Sequence, residues 1–262
     1  MPDRGPTPLV FLHGLLGDRE EWQSVMASLS ERECHALDLP GHGKQKALRI
    51  TCFGEAHHWL CKELMRRGVT RYRLVGYSLG GRLALYHASR RPEGLEGVLL
   101  ESSHPGLPRF ERAQRLAHDE SWAKCFEQAP LAETLADWYR QPVFADLGPI
   151  AREQLIKQRL DNDPQAVAFM LRATSLGHQP DLSAWLARTT LPVGYVTGHR
   201  DHKFQQLAQR VDLLGDTIRH WTLEGGHNLH ASQPERFTQV LREWLHLTDI
   251  QNERSRHDRS VE

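Results

Sequence analysis

Gly76-Tyr77-Ser78-Leu79-Gly80 constrains the fold more than any other stretch of the chain. The apolar, β-prone run Tyr72-Arg73-Leu74-Val75 precedes it. Gly81-Arg82-Leu83-Ala84-Leu85-Tyr86-His87-Ala88 reads as a helix after it. A Gly-x-Ser-x-Gly turn between a strand and a helix is a nucleophile elbow. A side chain in place of either glycine would meet the closely approaching strand and helix. The strained turn lifts the Ser78 hydroxyl to the carboxyl end of a sheet, over the positive end of a helix dipole.

A chain of 262 residues suits one large α/β domain with room for an insertion. Lys+Arg and Asp+Glu both number 33, so net charge points to no nucleic-acid partner and no acidic membrane surface. No apolar run approaches about 18 residues, so no membrane insertion is expected. Met1-Pro2-Asp3-Arg4-Gly5-Pro6 carries no apolar signal region, and Cys34, Cys52, Cys61 and Cys125 show no CxxC spacing. The expectation is free thiols in a reducing cytoplasm.

Short apolar strands are expected at Pro8–Leu12, Cys34–Asp38, Tyr72–Val75, Gly97–Glu101, Pro192–Gly198 and Thr217–Leu223. Helical spacing is expected over Glu20–Ser30, Phe53–Arg67, the stretch after the elbow, Phe204–Leu213 and Pro234–Leu247. This alternation predicts a mostly parallel sheet flanked by helices on both faces. After Ser102-Ser103-His104-Pro105-Gly106 the strands stop. Phe110–Phe126, Leu131–Tyr139, Gln154–Leu160 and Gln165–Ser175 are all helical in pattern. That block reads as a helical cap, residues 105–183, inserted into a core of residues 1–104 and 184–250. The cap is placed over the carboxyl edge because sites in such sheets lie there. The polar stretch 251–262 is expected to be a disordered tail.

A serine hydroxyl needs a neighbour to take its proton, usually a histidine oriented by a carboxylate. In α/β-hydrolase folds the chain order is Ser, Asp/Glu, His. Asp201 follows the Val193–Thr197 strand and His227 follows the last one, so both reach the same edge as Ser78. Two backbone amides would hold an oxyanion: Leu79, next to the serine, and Leu15, in the loop after the first strand. His13 is expected to hold that loop by bonding to backbone. Sixteen histidines invite a metal reading, but no set supplies three ligands at plausible spacing, so no metal is expected.

Other segments occur together: Val10-Phe11-Leu12-His13-Gly14, Glu21-Trp22-Gln23, Leu37-Asp38-Leu39-Pro40-Gly41-His42-Gly43 and Leu74–Arg82. They are joined by His104-Pro105-Gly106-Leu107, Asp137-Trp138-Tyr139-Arg140-Gln141-Pro142-Val143-Phe144, Ala173-Thr174-Ser175-Leu176, Gln179-Pro180-Asp181-Leu182 and Gly226-His227-Asn228. From about Leu9 to Leu247 the chain resembles the 2-succinyl-6-hydroxy-2,4-cyclohexadiene-1-carboxylate synthases (SHCHC synthases), the MenH family of bacterial menaquinone biosynthesis. Asp137–Phe144 and the Tyr-Ser-Leu-Gly-Gly-Arg form of the elbow are its most specific marks. The Leu15-Leu16 pair, the neighbours of Arg159 and the chain beyond Leu247 depart from the family pattern.

The resemblance implies a lyase without cofactors that eliminates pyruvate from a tricarboxylate substrate, with Ser78, Asp201 and His227 as the catalytic set. It implies Tyr77, Arg82, Arg115, Trp138 and Arg159 as substrate-binding residues. Taken singly, these arginines read as surface or ion-pair residues and Trp138 as cap core. The competing readings are a serine carboxylesterase or thioesterase of the same fold, whose pocket would be mainly apolar, and a non-catalytic binding protein, against which the intact triad speaks.

Overall fold

A computed structural model describes residues 5–212, 215 and 217–261, with Asp212 and residues 251–261 as backbone alone. Six strands form one sheet: β1 Leu9–Leu12, β2 Cys34–Leu37, β3 Tyr72–Tyr77, β4 Leu95–Glu101, β5 Val193–Gly198 and β6 Ile218–Leu223. Their order is β2-β1-β3-β4-β5-β6, and every pairing is parallel. The helices are α1 Gln23–Ala27, α2 Phe53–Arg66, α3 Leu79–Ser89, α4 Arg112–Gln128, α5 Leu131–Trp138, α6 Pro149–Arg159, α7 Pro164–Ala173, α8 Ser183–Leu186, α9 His202–Asp212, α10 Leu229–Ser232 and α11 Pro234–Val261.

The strands β1, β3 and β5 are buried along their whole length, as a parallel sheet covered on both faces requires. Successive side chains point to opposite faces, so each strand feeds two cores. Val10, Leu12, Leu74, Val98 and Leu100 pack with Phe53, Leu60 and Leu64 of α2 and Leu83 of α3. Leu9, Phe11, Val75, Tyr77 and Leu99 pack with Val25 of α1 and with Phe237, Leu241 and Trp244 of α11. Arg73 is the charged exception in β3, and it donates to Asp249 of α11 at 2.6 Å. Asp249 also accepts from Arg32 at 2.8 Å, which ties the final helix to the sheet's lower edge.

Between β4 and β5 the chain builds α4 to α8 instead of a strand. The insertion has an apolar centre of its own, from Ala123 and Phe126 of α4, Leu135 of α5, Tyr139, and Val167, Ala168 and Leu171 of α7. Leu16, from the loop after β1, completes that centre and stitches it to the sheet.

Three elements differ from the sequence expectation. The helix expected over Glu20–Ser30 opens as a 3-10 turn, Arg19–Trp22, because the Asp18 carboxylate caps the Glu20 amide at 2.8 Å and tightens the first turn. The helix expected from Gln154 starts at Pro149, whose fixed φ suits the first helical position. Helix α11 carries residues 251–261 as helical backbone where a disordered tail is expected. After Pro234 the run holds no Pro or Gly and is rich in Glu, Arg and Gln, all good helix formers. The side chains of 251–261, and Glu262, lie outside the described residues. Among the described residues no helix is long and apolar enough to cross a membrane.

Candidate active site

Ser78 sits between β3 and α3 with φ 48° and ψ −108°, a conformation costly for any residue but glycine. The packing enforces it. A Cβ on Gly76 would come within 2.6 Å of Gly81 Cα, and one on Gly80 would strike the carbonyls of Leu12 and His13. The Ser78 amide is fixed to the Glu101 carbonyl at 2.9 Å. The backbone of Ser78 is thereby held at the carboxyl end of the sheet.

Asp201 and His227 arrive from the ends of β5 and β6. Nδ1 of His227 stands 2.6 Å from Asp201 Oδ2, and Nε2 stands 3.2 Å from Ser78 Oγ. Asp201 and His227 are buried, while Ser78 keeps partial access. Rings of Phe204, Tyr77 and Phe144 surround the imidazole, at 4.8, 5.4 and 5.9 Å between centroids. With Nδ1–H given to the carboxylate, Nε2 is the free base and faces the hydroxyl.

The loop after β1 is held by two buried histidines. His13 donates from Nδ1 to its neighbour's carbonyl, Gly14 O, at 2.7 Å and accepts the Leu39 amide at Nε2 at 2.9 Å. His42 donates to Pro40 O at 3.0 Å and accepts the Leu16 amide at 3.1 Å. Burial pushes the His42 pKa down to about 4 and that of His13 well below its usual value. Both stay neutral, each in one tautomer. Leu16 itself has φ 69°, held there by His42, by Asn162 Nδ2 on its carbonyl at 3.0 Å, and by the insertion core. His42 consumes the Leu16 amide, so of this pair only Leu15 remains a candidate for the expected oxyanion role. Leu79 is the first residue of α3, and the helix supplies no acceptor for its amide.

Arg82 lies one turn beyond Ser78 on α3. Its guanidinium donates to Thr174 O at 2.9 Å and to Gln179 Oε1 at 3.4 Å, both neutral acceptors. Burial, and then the nearby Arg115, push its pKa down to about 9, which still leaves it charged at neutral pH. Arg115 pairs with Asp119 at 2.8 Å. Lys203, just after Asp201, shares this field: burial and Arg115 lower its pKa. Burial pushes His104 down to about 3, with Lys203, Arg82 and Arg115 adding to the effect. The positive pole is thus Arg82, Arg115 and Lys203, with the Asp119 carboxylate inside the same field.

Arg159 is elsewhere. It is buried in an ion pair with Glu21, and it lines a cavity of about 50 Å³ with Leu15, Tyr77, Tyr139, Phe144, Asp146 and His227. Tyr77 is in that cavity, against His227 and His230. Trp138 is not: it packs edge-on against Trp122 at 5.0 Å and on Phe126 within the insertion, and its neighbour Tyr139 takes the cavity wall. The structure thus brings together Ser78, Asp201, His227, Tyr77 and Leu15, groups Arg82 with Arg115, and keeps Arg159 with a carboxylate partner. Sequence reading missed Lys203, Glu21, Tyr139, Phe144 and Asp146. Lys203 lies two residues from Asp201, and Glu21, Tyr139 and Phe144 lie in segments that carry the family resemblance, whereas Asp146 carried no signal.

The expectation that no three-ligand set exists needs correction. His57 and Cys61, one turn apart on α2, meet His87 of α3, and one donor atom of each lies within 4.8 Å of the others. Sequence spacing could not show it because the third residue comes from another helix. The four cysteines are free thiols.

Residues 9–240 match the sequence profile of the Alpha/beta hydrolase family. The chain is 45% identical over 239 residues to the 2-succinyl-6-hydroxy-2,4-cyclohexadiene-1-carboxylate synthase of Serratia proteamaculans, covering 90% of this chain and 92% of that one. It is 47% identical over 236 residues to the synthase of the same name from Yersinia pseudotuberculosis, covering 89% and 85%. The solved structure of MenH from S. aureus superposes with a TM-score of 0.87 at 27% identity, over 95% of this chain and 96% of that one. The chain belongs to the alpha/beta hydrolase family and, within it, to the family of the 2-succinyl-6-hydroxy-2,4-cyclohexadiene-1-carboxylate synthases.

Proposed function

We propose that this chain is the pyruvate-releasing lyase of menaquinone biosynthesis in a bacterial cytoplasm. It converts 2-succinyl-5-enolpyruvyl-6-hydroxy-3-cyclohexene-1-carboxylate to 2-succinyl-6-hydroxy-2,4-cyclohexadiene-1-carboxylate. The names of the relatives support this reading. The observation within the site that carries it is Arg82, a guanidinium beside the elbow whose partners are neutral oxygens. Arg82 is half-buried, and the carboxylate in its field, Asp119, is already engaged by Arg115. A substrate carboxylate would supply the direct partner that Arg82 lacks. An esterase pocket for neutral acyl groups has no use for it.

The base is Ser78, relayed through His227 and oriented by Asp201. It removes the ring C2 proton next to the succinyl ketone. Charge moves onto the ketone oxygen, where the Leu15 and Leu79 amides receive it. The C2–H electron pair becomes the C2=C3 bond, the ring alkene shifts to C4=C5, and the C5–O bond breaks. The leaving enolpyruvate takes a proton and becomes pyruvate. No acyl-enzyme forms, so the triad acts as a base and not as a nucleophile.

Arg82 and Arg115, with Lys203 beside them, hold one end of the tricarboxylate. Tyr77 packs against the ring, and Arg159 exchanges Glu21 for a second carboxylate. The 105–183 insertion acts as a cap. The cavity beside His227 is about 50 Å³, whereas ligands of drug size occupy about 300 Å³ or more. The segment Pro142–Asp146, which places Phe144 on His227, has to swing away to admit substrate.

The test supplies the enolpyruvyl substrate and follows pyruvate. Release well above background supports the lyase. No release, alongside rapid hydrolysis of a p-nitrophenyl ester, supports the esterase.

A further inference from the structure

The side chains of His57, Cys61 and His87 converge away from Ser78, in a place the proposed chemistry does not use. His57 and Cys61 are separated by four residues on α2, so they share one face. His87 comes from the last turn of α3, nine residues beyond Ser78, or about 13 Å along the helix axis. Nδ1 of His57 and Nδ1 of His87 are 2.9 Å apart, and Cys61 Sγ is 3.9 Å from His57 Nε2. One donor atom from each residue lies within 4.8 Å of the other two.

We propose that His57, Cys61 and His87 form a binding site for a borderline-soft divalent cation, Zn²⁺ foremost, that joins α2 to α3.

The geometry is close to what such an ion needs. Two nitrogens bound at about 2.0–2.1 Å to a tetrahedral ion lie roughly 3.3 Å apart, and nitrogen and thiolate sulfur roughly 3.6 Å apart. The two Nδ1 atoms need to part by a few tenths of an ångström, and the thiol, whose 3.9 Å contact is with the other His57 nitrogen, Nε2, has to rotate round toward the Nδ1 side. Imidazole and thiolate are the donors that suit zinc, and they disfavour Mg²⁺ and Ca²⁺, which take oxygens.

The surroundings supply two further requirements. A metal-binding imidazole needs a fixed tautomer, and Tyr72 Oη lies 2.7 Å from His87 Nε2. With Nε2–H donated to the phenol oxygen, Nδ1 keeps its lone pair for the ion. An entry path is needed as well. His57, Cys61 and Tyr72 line a surface pocket of about 460 Å³, with Arg90 and Glu93 at its wall. The ion enters from that pocket, and water from it fills the fourth position.

The bond changes balance simply. Cys61 loses its thiol proton to solvent and binds as thiolate. His87 binds through Nδ1 and keeps its proton on Nε2. His57 releases to solvent the Nδ1 proton that it now donates to His87 and takes one from solvent at Nε2, so it too binds as a neutral imidazole. No electron transfer is involved.

The proposal is independent of the lyase reading and is tested without turnover. The full chain, freed of metal with a chelator, is titrated with Co²⁺, which reports tetrahedral sulfur ligation by its colour. The expected result is one equivalent bound, intense visible bands, and a near-ultraviolet sulfur-to-cobalt charge-transfer band, all abolished by one equivalent of Zn²⁺. Cys61→Ser should remove the charge-transfer band, and His57→Ala should weaken Zn²⁺ binding at least tenfold. Both residues are only partly buried, so both variants should fold, which circular dichroism checks. No charge-transfer band in the native chain, or the same band in Cys61→Ser, would overturn the site.

Discussion

Arg82 Nη1 donates to the carbonyl of Thr174 at 2.9 Å, so the cation of the elbow helix is held by backbone from the end of α7 and not by a carboxylate. This contact joins sheet and insertion at the place where substrate charge is expected. Arg82→Gln keeps a donor for Thr174 but removes the charge. A charge-assisted hydrogen bond is worth about 1.5–3 kcal/mol, so kcat/KM for the tricarboxylate should fall roughly 10- to 100-fold, chiefly through KM. Turnover of a small neutral ester, if the chain has any, should be unaffected. Steady-state kinetics on both substrates checks this, and equal loss on both would make Arg82 a packing residue.

Asp201 touches His227 and not the hydroxyl, so it acts on tautomer and orientation. Asp201→Asn reverses the hydrogen bond and turns a protonated nitrogen toward Ser78. General-base assistance contributes about 10²–10⁴-fold, and the variant should lose most of that in kcat while KM changes little. A stopped-flow single-turnover experiment distinguishes this from slow product release.

The loop that carries Leu15 should be sensitive to acid. His13 and His42 accept the Leu39 and Leu16 amides on the nitrogens that protonation would convert to donors. Their folded pKa values are lowered by burial, His42 to about 4, against an ordinary value of 6.5. Below pH 6.5 the unfolded chain binds these protons and the folded chain does not. Stability is therefore fully present above about pH 6.5 and falls as pH drops toward 4, at about 1.4 kcal/mol per pH unit for each histidine. Urea unfolding at several pH values checks the slope. His42→Gln should be less stable at pH 7 by about 1–3 kcal/mol, and its slope should be shallower. An unchanged slope would mean that His42 protonates freely in the fold.

Gly80 is a close-approach position, since a Cβ would enter the carbonyls of Leu12 and His13 at the end of β1. Overpacking of this kind costs about 1–3 kcal/mol. Gly80→Ala should lower the thermal midpoint by several degrees and, by pushing the start of α3 from the end of β1, displace the expected oxyanion amides. Activity should fall further than stability alone explains. Calorimetry and kcat on the same preparation test both halves.

That Ser78, Asp201 and His227 meet was legible because each follows a recognisable strand, and a parallel sheet gathers strand ends at one edge. The positions of Ser78, Asp201 and His227 follow from that topology without any knowledge of side-chain contacts. A substrate-binding role for the arginines is proposed only through family resemblance, since an isolated Arg82 or Arg115 looks like any surface cation. Local pattern could not show that Arg159 is neutralised by Glu21, because 138 residues separate the two. Nor could it show that Tyr139, and not Trp138, walls the cavity. Both lie on the same short stretch, and the packing of α4 against α5 decides which one turns inward. The helical backbone of 251–261 shows the opposite failure: polar composition argued for disorder, while propensity alone argued for helix.

Pyruvate release from the enolpyruvyl substrate, measured side by side for the native chain and Ser78→Ala, tests the central claim most directly. The native chain should release one pyruvate per substrate with the diene as co-product, and Ser78→Ala should slow that release by at least about 10²-fold. Native-rate release from Ser78→Ala would contradict the proposed base. Absence of pyruvate with the native chain would contradict the lyase itself.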